Sequence, residues 1–103
     1  PEVERILRAF HSEGKPIGAI CIAPALIARV LGSHQITVTI GNDPRAAAEI
    51  KKTGAIHEVC PVDEYISDRE HKVLTTPAFM YNIQPHQAFL GISRMIKELV
   101  EMA

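Results

Sequence analysis

A small α/β domain, with helices covering both faces of a mostly parallel sheet, is the fold class this sequence predicts. Three observations carry that expectation. Segments with helical apolar spacing alternate with short apolar or β-branched runs. One such run, Pro16–Cys21, is apolar throughout, as a strand buried on both faces is. Glycine and proline mark the joints, at Gly14, Pro16, Gly32, Pro44, Gly54, Pro61 and Pro77.

Residues 2–12 place Val3, Ile6, Leu7 and Phe10 at helical spacing, and Gly14 stands where a terminator belongs. Residues 15–21, KPIGAIC, follow as the buried strand. From Ile22 the pattern turns helical through Leu26, Ile27, Val30 and Leu31, with Gly32 as its stop. QITVTIG, residues 35–41, is rich in β-branched residues and reads as a strand. It is expected to lie parallel to residues 17–20. NDPRAAAEIKKTG is a helix with Asn42 or Asp43 as N-cap, Pro44 in the first turn and Gly54 as stop. AIHEVC is a short strand ended by Pro61. Residues 64–77 form two strands around a polar turn at 68–71. A last helix, from about Asn82 to Met102, carries Phe89, Ile92, Ile96 and Leu99 on one face, as core or as a subunit contact. The order is α-β-α-β-α-β-β-β-α. The late hairpin adds an antiparallel strand to the sheet.

The 103 residues suffice for one domain with a modest core. Apolar content is 47%, charged content is 22% and net charge is −1, so a globular domain is expected without the basic stripe that nucleic-acid partners require. No apolar run approaches the roughly 20 residues of a membrane span. The charged start offers no leader pattern. Two cysteines, Cys21 and Cys60, do not suggest a disulfide framework, and a reducing compartment is expected, the cytoplasm or, in a eukaryote, the mitochondrial matrix.

Cys21 falls where the buried strand ends and a helix begins. Ligands collect at the carboxyl ends of parallel strands. A sharp strand-to-helix turn lifts a side chain above the sheet and needs small neighbours, which Gly18, Ala19 and Ala23 supply. The backbone N–H groups of Ile22 and Ala23 then sit at a helix start, suited to an anion or an oxyanion, and that helix end favours thiolate. Cys21 as a packed core cysteine is the competing assignment.

The stretches GKPIGAICIAPALIARVLG, VTIGND, TGAIHEVCPVDE and KVLTTPAFM together resemble the ThiJ/PfpI superfamily, in particular its enhancing-lycopene-biosynthesis (ElbB-like) branch, also called glyoxalase-like or glutamine amidotransferase-like class 1 domain proteins. The resemblance runs from about Val3 to the end, and C-I-A-P with T-T-P-A-F-M is specific to the branch. It implies a flavodoxin-like three-layer sandwich, incomplete here, with Cys21 as the nucleophile. Members of the branch are about twice this length, so residues 1–103 would be the C-terminal half of a single domain. The N-terminal companion segment would carry the first strands and the acidic partner of the cysteine. The implied chemistry is glyoxalase-like: conversion of small 2-oxoaldehydes such as glyoxal and methylglyoxal to hydroxy acids, with no cofactor. A redox-sensing or interaction module of the same fold is the alternative, since an exposed thiolate is also the first to oxidise. A homo-oligomer is expected. Where several relatives carry a histidine beside the cysteine or after the next strand, this chain has Ile22 and Gly41-Asn42-Asp43.

Among the remaining candidates, none of His11, His34, His57, His71 and His86 has a ligand spacing that suggests zinc, so no metal is expected. His11 and His71 lie in polar stretches and are expected to be solvated. His57 is expected to be structural, and Cys60 a packing thiol. Asn42 and Asp43 either cap the helix that follows or line a pocket above the sheet. Thr75 and Thr76 either line the same pocket or cap a turn.

Overall fold

The computed structural model describes residues 2–80 and 85–103. The chain runs α1 (Glu2–Ser12), β1 (Ile17–Ile20), α2 (Ala23–Leu31), a 3-10 turn (Gly32–His34), β2 (Thr37–Val38), α3 (Pro44–Lys52), β3 (Ile56–His57), β4 (Ile66–Asp68), β5 (Val73–Thr76), a second 3-10 turn (Ala78–Met80) and α4 (Pro85–Met102). The α/β alternation read from periodicity is present. The expected start of the last helix, 82–84, lies outside the described residues. No helix among the described residues is long and apolar enough to cross a membrane.

Strand pairing differs from expectation. β1 pairs in parallel with β5, Ile17 opposite Val73 and Ile20 opposite Thr76. β4 adds antiparallel to β5, giving the order β1-β5-β4. β2 pairs in parallel with β3 in a separate two-stranded sheet, so residues 36–40 are not the neighbour of 17–20. Only Thr37–Val38 keep regular ladder geometry within the expected 35–41 strand. The reason lies in what this segment's N–H groups meet. Thr37 N–H donates to the Asp68 carboxylate (2.7 Å), Thr39 N–H to Thr75 Oγ1 (2.9 Å) and Ile40 N–H to His57 Nε2 (3.1 Å). On the edge facing β4 and β5, the Asp68 and Thr75 side chains stand in for a second strand and stitch the two sheets together, while His57 of β3 takes the Ile40 N–H on the other side.

Side chains alternate along β1 and β5 and so divide the core. Ile17, Ala19 and Val73 pack with Ile27, Leu31 and Val38 on the face that α2 covers. On the opposite face, Gly18 lies under Met95 and Leu99 of α4, 3.2 Å from a Cβ placed there. Of the stripe expected on α4 as core or as a subunit contact, Leu99 packs on β1, whereas Phe89 and Ile96 do not enter the core. Ala88, Gly91 and Met95 are buried, while Phe89 and Ile96 are exposed. Small residues face inward because the helix lies close to the strands and to the 61–65 loop. Leu99 covers β1, whereas Glu98, on the other flank of the helix, takes a hydrogen bond from Ser67 of β4. Ile96 and Phe89 therefore follow round the helix on the β1 side.

α2 ends at Leu31 with Gly32 as its C-cap, as expected, but Gly32 keeps φ −60° and leads into the 3-10 turn, and the left-handed residue is Gln35 at φ 59°. Glycine is needed at 32 for another reason: a Cβ there would stand 2.5 Å from the Thr53 carbonyl oxygen. α3 begins as predicted, with Asp43 as N-cap accepting from Arg45 N–H at 3.0 Å.

Candidate functional site around Cys21

β1 ends at Ile20 and α2 begins at Ala23, leaving two residues for the reversal. Cys21 takes the left-handed conformation, φ 66°. A side chain with a Cβ pays roughly 1–2 kcal/mol for that region. The conformation persists because both sides of the turn are fixed. On the strand side, Cys21 N–H donates to the Thr76 carbonyl at 3.0 Å, carrying the β1–β5 ladder one residue beyond the strand. On the helix side, Pro24 stands in the first turn of α2.

The Thr76 carbonyl is itself held. Thr76 is fully buried, and its hydroxyl donates to the Glu64 carbonyl at 2.7 Å. Gly91 of α4 closes over this contact, since a Cβ there would lie 2.6 Å from the Val62 carbonyl oxygen and 3.0 Å from both the Glu64 carbonyl oxygen and Thr76 Oγ1. A stack of Gly91, Glu64 and Thr76 thus sets the height of the Cys21 amide. Thr76 supports the turn from beneath through its carbonyl rather than presenting its hydroxyl to open space. Thr75 is equally buried and accepts from Thr39 N–H, so its side chain joins the sheets.

Above the turn the surroundings are open. Cys21 is half-buried and Ile22 is exposed. No side chain caps the start of α2, and helix geometry gives the N–H groups of Ile22 and Ala23 no acceptor within the helix. Two backbone donors accordingly sit immediately after the thiol. Among the described residues, no hydrogen bond or ion pair engages the Cys21 sulfur.

Asn42 and Asp43 end the other sheet, because β2 pairs with β3. Asp43 is occupied as the α3 cap, Asn42 is exposed, and no hydrogen bond among the described residues ties either to Cys21. His57 accepts from Ile40 N–H; burial, then the nearby Lys51, holds its ring below the usual histidine range, which suits a neutral acceptor. Cys60 is buried, and burial together with Glu64, Asp63 and Glu58 pushes its thiol up to about 11. The two cysteines are therefore chemically unlike. Among the described residues no group of three His, Cys, Asp or Glu side chains is gathered to hold a metal ion. A hollow of about 580 Å³ between Phe10, Pro16, Leu99 and Val100 opens at the opposite ends of β1 and β5 from Cys21.

Sequence reasoning missed Gly91 and the 62–64 carbonyls. Gly91 left a signal: a glycine inside a long amphipathic helix costs about 1 kcal/mol against alanine, so it marks a close approach.

No protein-family model matches the chain. It is 42% identical over 110 residues to the human glutamine amidotransferase-like class 1 domain-containing protein 3, mitochondrial, covering 98% of this chain and 40% of that protein. It is 43% identical over 108 residues to the rat ES1 protein homolog, mitochondrial, covering 98% of this chain and 41% of the homolog. Among solved structures, an isoprenoid biosynthesis protein with amidotransferase-like domain from Ehrlichia chaffeensis superposes with a TM-score of 0.92 at 34% identity, over 99% of this chain and 47% of that one. The chain thus spans about two fifths of the length of the curated relatives it matches.

Proposed function

Because the chain is homologous over its whole length to a portion of the glutamine amidotransferase-like class 1 domain (ES1) proteins, we propose that it is the C-terminal half of such a domain and that Cys21 is its elbow nucleophile. The left-handed backbone at Cys21, φ 66°, is the observation that carries this proposal. Strain of this kind is kept where the surroundings over-determine it, and it concentrates at reactive turns. The half-buried sulfur and the two N–H groups that follow it complete the arrangement.

The proposed reaction is glyoxalase-like, on a small 2-oxoaldehyde. The thiolate attacks the aldehyde carbon, forming a C–S bond, and the carbonyl pair becomes an oxyanion within reach of the Ile22 and Ala23 N–H groups. Protonation gives a hemithioacetal. The hydrogen on that carbon leaves as a proton and a proton is delivered to the neighbouring carbon, turning the hemithioacetal into a thioester of a 2-hydroxy acid with no change in overall oxidation level. Water cleaves the thioester, releasing the hydroxy acid and the thiol. The proton carrier is assigned to the companion half, which on this proposal also pairs with the open edge of β1 and covers the exposed Ile96 and Phe89. The mitochondrial names of the relatives support the matrix as the compartment.

The test is turnover of methylglyoxal to lactate by the full-length protein, with Cys21→Ser and Cys60→Ala beside it. Activity in wild type and Cys60→Ala, reduced by at least about a thousandfold in Cys21→Ser, is expected, because a serine hydroxyl without an adjacent base is a weak nucleophile. Activity surviving Cys21→Ser overturns the assignment. No turnover, with sulfinate forming at Cys21 under peroxide, would replace the enzyme by a redox sensor.

A further inference from the structure

Three histidines far apart in sequence meet beneath the C-terminal end of α1. The His11 ring centroid lies 4.8 Å from that of His34, tilted by 52°, and 6.4 Å from that of His71, at 25°. The rings come from three elements: α1, the 3-10 turn after α2, and the turn joining β4 to β5. The polar stretches around His11 and His71 had suggested solvated side chains, and the structure corrects this. His71 is 22% exposed, and its Nδ1 meets the Asp68 carboxylate at 2.9 Å.

The charges around the cluster do not balance once it is protonated. The Asp68 carboxylate beside it is already committed to Thr37 N–H, His71 N–H and the His71 ring. From α1 itself comes Arg8, which lines the same hollow with His11 and His34 and pairs with Glu4 at 3.0 Å. Burial, then His34 and His71, holds the His11 ring below the usual histidine range, against a smaller opposing pull from Asp68. The rings are not gathered as a metal site, so protonation is the chemistry left to them.

The helix they hold is lightly anchored. No residue of α1 is fully buried, and Leu7 is its contact with the core cluster. Beyond it, Lys72 Nζ donates to the Gly14 carbonyl at 2.9 Å, and Gly14 stands at φ 73° with no atom within 4 Å of the place a Cβ would occupy. That tether, next to the open Gly14, supplies a pivot.

We propose that His11, packed against the rings of His34 and His71 and beside the Asp68 carboxylate, is the moving part of a proton-operated latch: closed with His11 neutral, it holds the end of α1 on the domain, and it opens at Gly14 when His11 takes up a proton. The sign follows from the suppressed basicity of His11. The unfolded or released ring takes up a proton at the ordinary value near 6.5, above the docked one, so the latch is intact above that value and weakens as pH falls through and below it.

Hydrogen exchange of the full-length protein tests this. Between about pH 7.5 and about pH 5.5, after correction for intrinsic rates, amides of residues 6–12 should lose at least about tenfold in protection while those of α3 stay unchanged. His34→Gln should flatten that dependence. Nuclear magnetic resonance titration of the His11 ring provides a readout that does not depend on a variant folding: its midpoint should lie below the ordinary histidine value. Protection of α1 that does not change with pH, an equal loss in His34→Gln, or an ordinary midpoint at His11 each overturns the latch.

Discussion

Replacing Gly91 by alanine adds one methyl group at the point where α4 closes over the support of Cys21. In an unobstructed helix interior the change stabilises by about 1 kcal/mol. Here the new Cβ meets the Val62 carbonyl oxygen at 2.6 Å, and the Glu64 carbonyl oxygen and Thr76 Oγ1 at 3.0 Å. Two of the three obstacles are backbone atoms, which cannot rotate aside, so the overpacking cost belongs at the upper end of roughly 1–3 kcal/mol. The net expectation is a loss of about 1–2 kcal/mol. The strain has a direction: lifting α4 loosens Thr76 Oγ1 from Glu64, and the Thr76 carbonyl holds the Cys21 amide. Denaturant midpoints of full-length wild type and Gly91→Ala give the stability, and brief iodoacetamide labelling read by mass spectrometry gives the change at Cys21. Gly91→Ala as stable as wild type, or more so, would refute the close approach. Lost stability with unchanged Cys21 labelling would refute the link from α4 to the turn.

Three further outcomes are expected. At pH 8 a thiol near 11 is about one-thousandth ionised, so Cys60 should label at least about a hundredfold more slowly than Cys21 in the native protein, and equal labelling would contradict its burial. Cys21→Gly should raise stability by about 0.5–1 kcal/mol, since glycine takes φ 66° without penalty, while abolishing any turnover; a destabilised variant would show that the turn is unstrained. Burial alone would raise the Glu98 carboxyl, but hydrogen bonds from Ser67 and Tyr65, both 2.5 Å, together with Arg69, bring it below the usual carboxylate range. Its stabilisation is therefore complete above the unfolded value near 4.5 and is lost as pH falls through the lower folded one; Glu98→Ala should cost about 2 kcal/mol at neutral pH and flatten the acid limb of a melting-temperature profile.

Element positions were legible because helical and strand periodicities are local. Val3–Phe10, Leu26–Leu31 and the Asp43–Pro44 cap each announce themselves within one or two turns. The strand-to-helix reversal at Cys21 was legible for the same reason, through its small neighbours. Pairing was not legible, because the partner of β1 lies 56 residues downstream in Val73–Thr76, and no spacing near Ile17 encodes it. The segment 36–40 looked like a full strand because β-branched residues suit extended backbone whether the N–H groups meet a strand or, as here, Asp68, Thr75 and His57. The inward face of α4 was only partly legible, because bulk does not reveal where close packing selects Ala88 and Gly91. The histidine cluster was invisible: His11, His34 and His71 share no spacing, and only the fold brings them together.

β1 has one hydrogen-bonded neighbour among the described residues, and the amide of Cys21 is fixed from that side alone. A displacement of β5, of the 62–64 carbonyls or of Gly91 reaches the sulfur through that one carbonyl-to-amide contact. Tolerance to substitution should therefore be lopsided: changes on the β5 side of Cys21 shift its reactivity, while changes of equal energetic cost in the β2–β3 sheet lower stability and leave the thiol where it was. The position of one sulfur thus becomes a gauge for one flank of the molecule, readable residue by residue in a labelling rate.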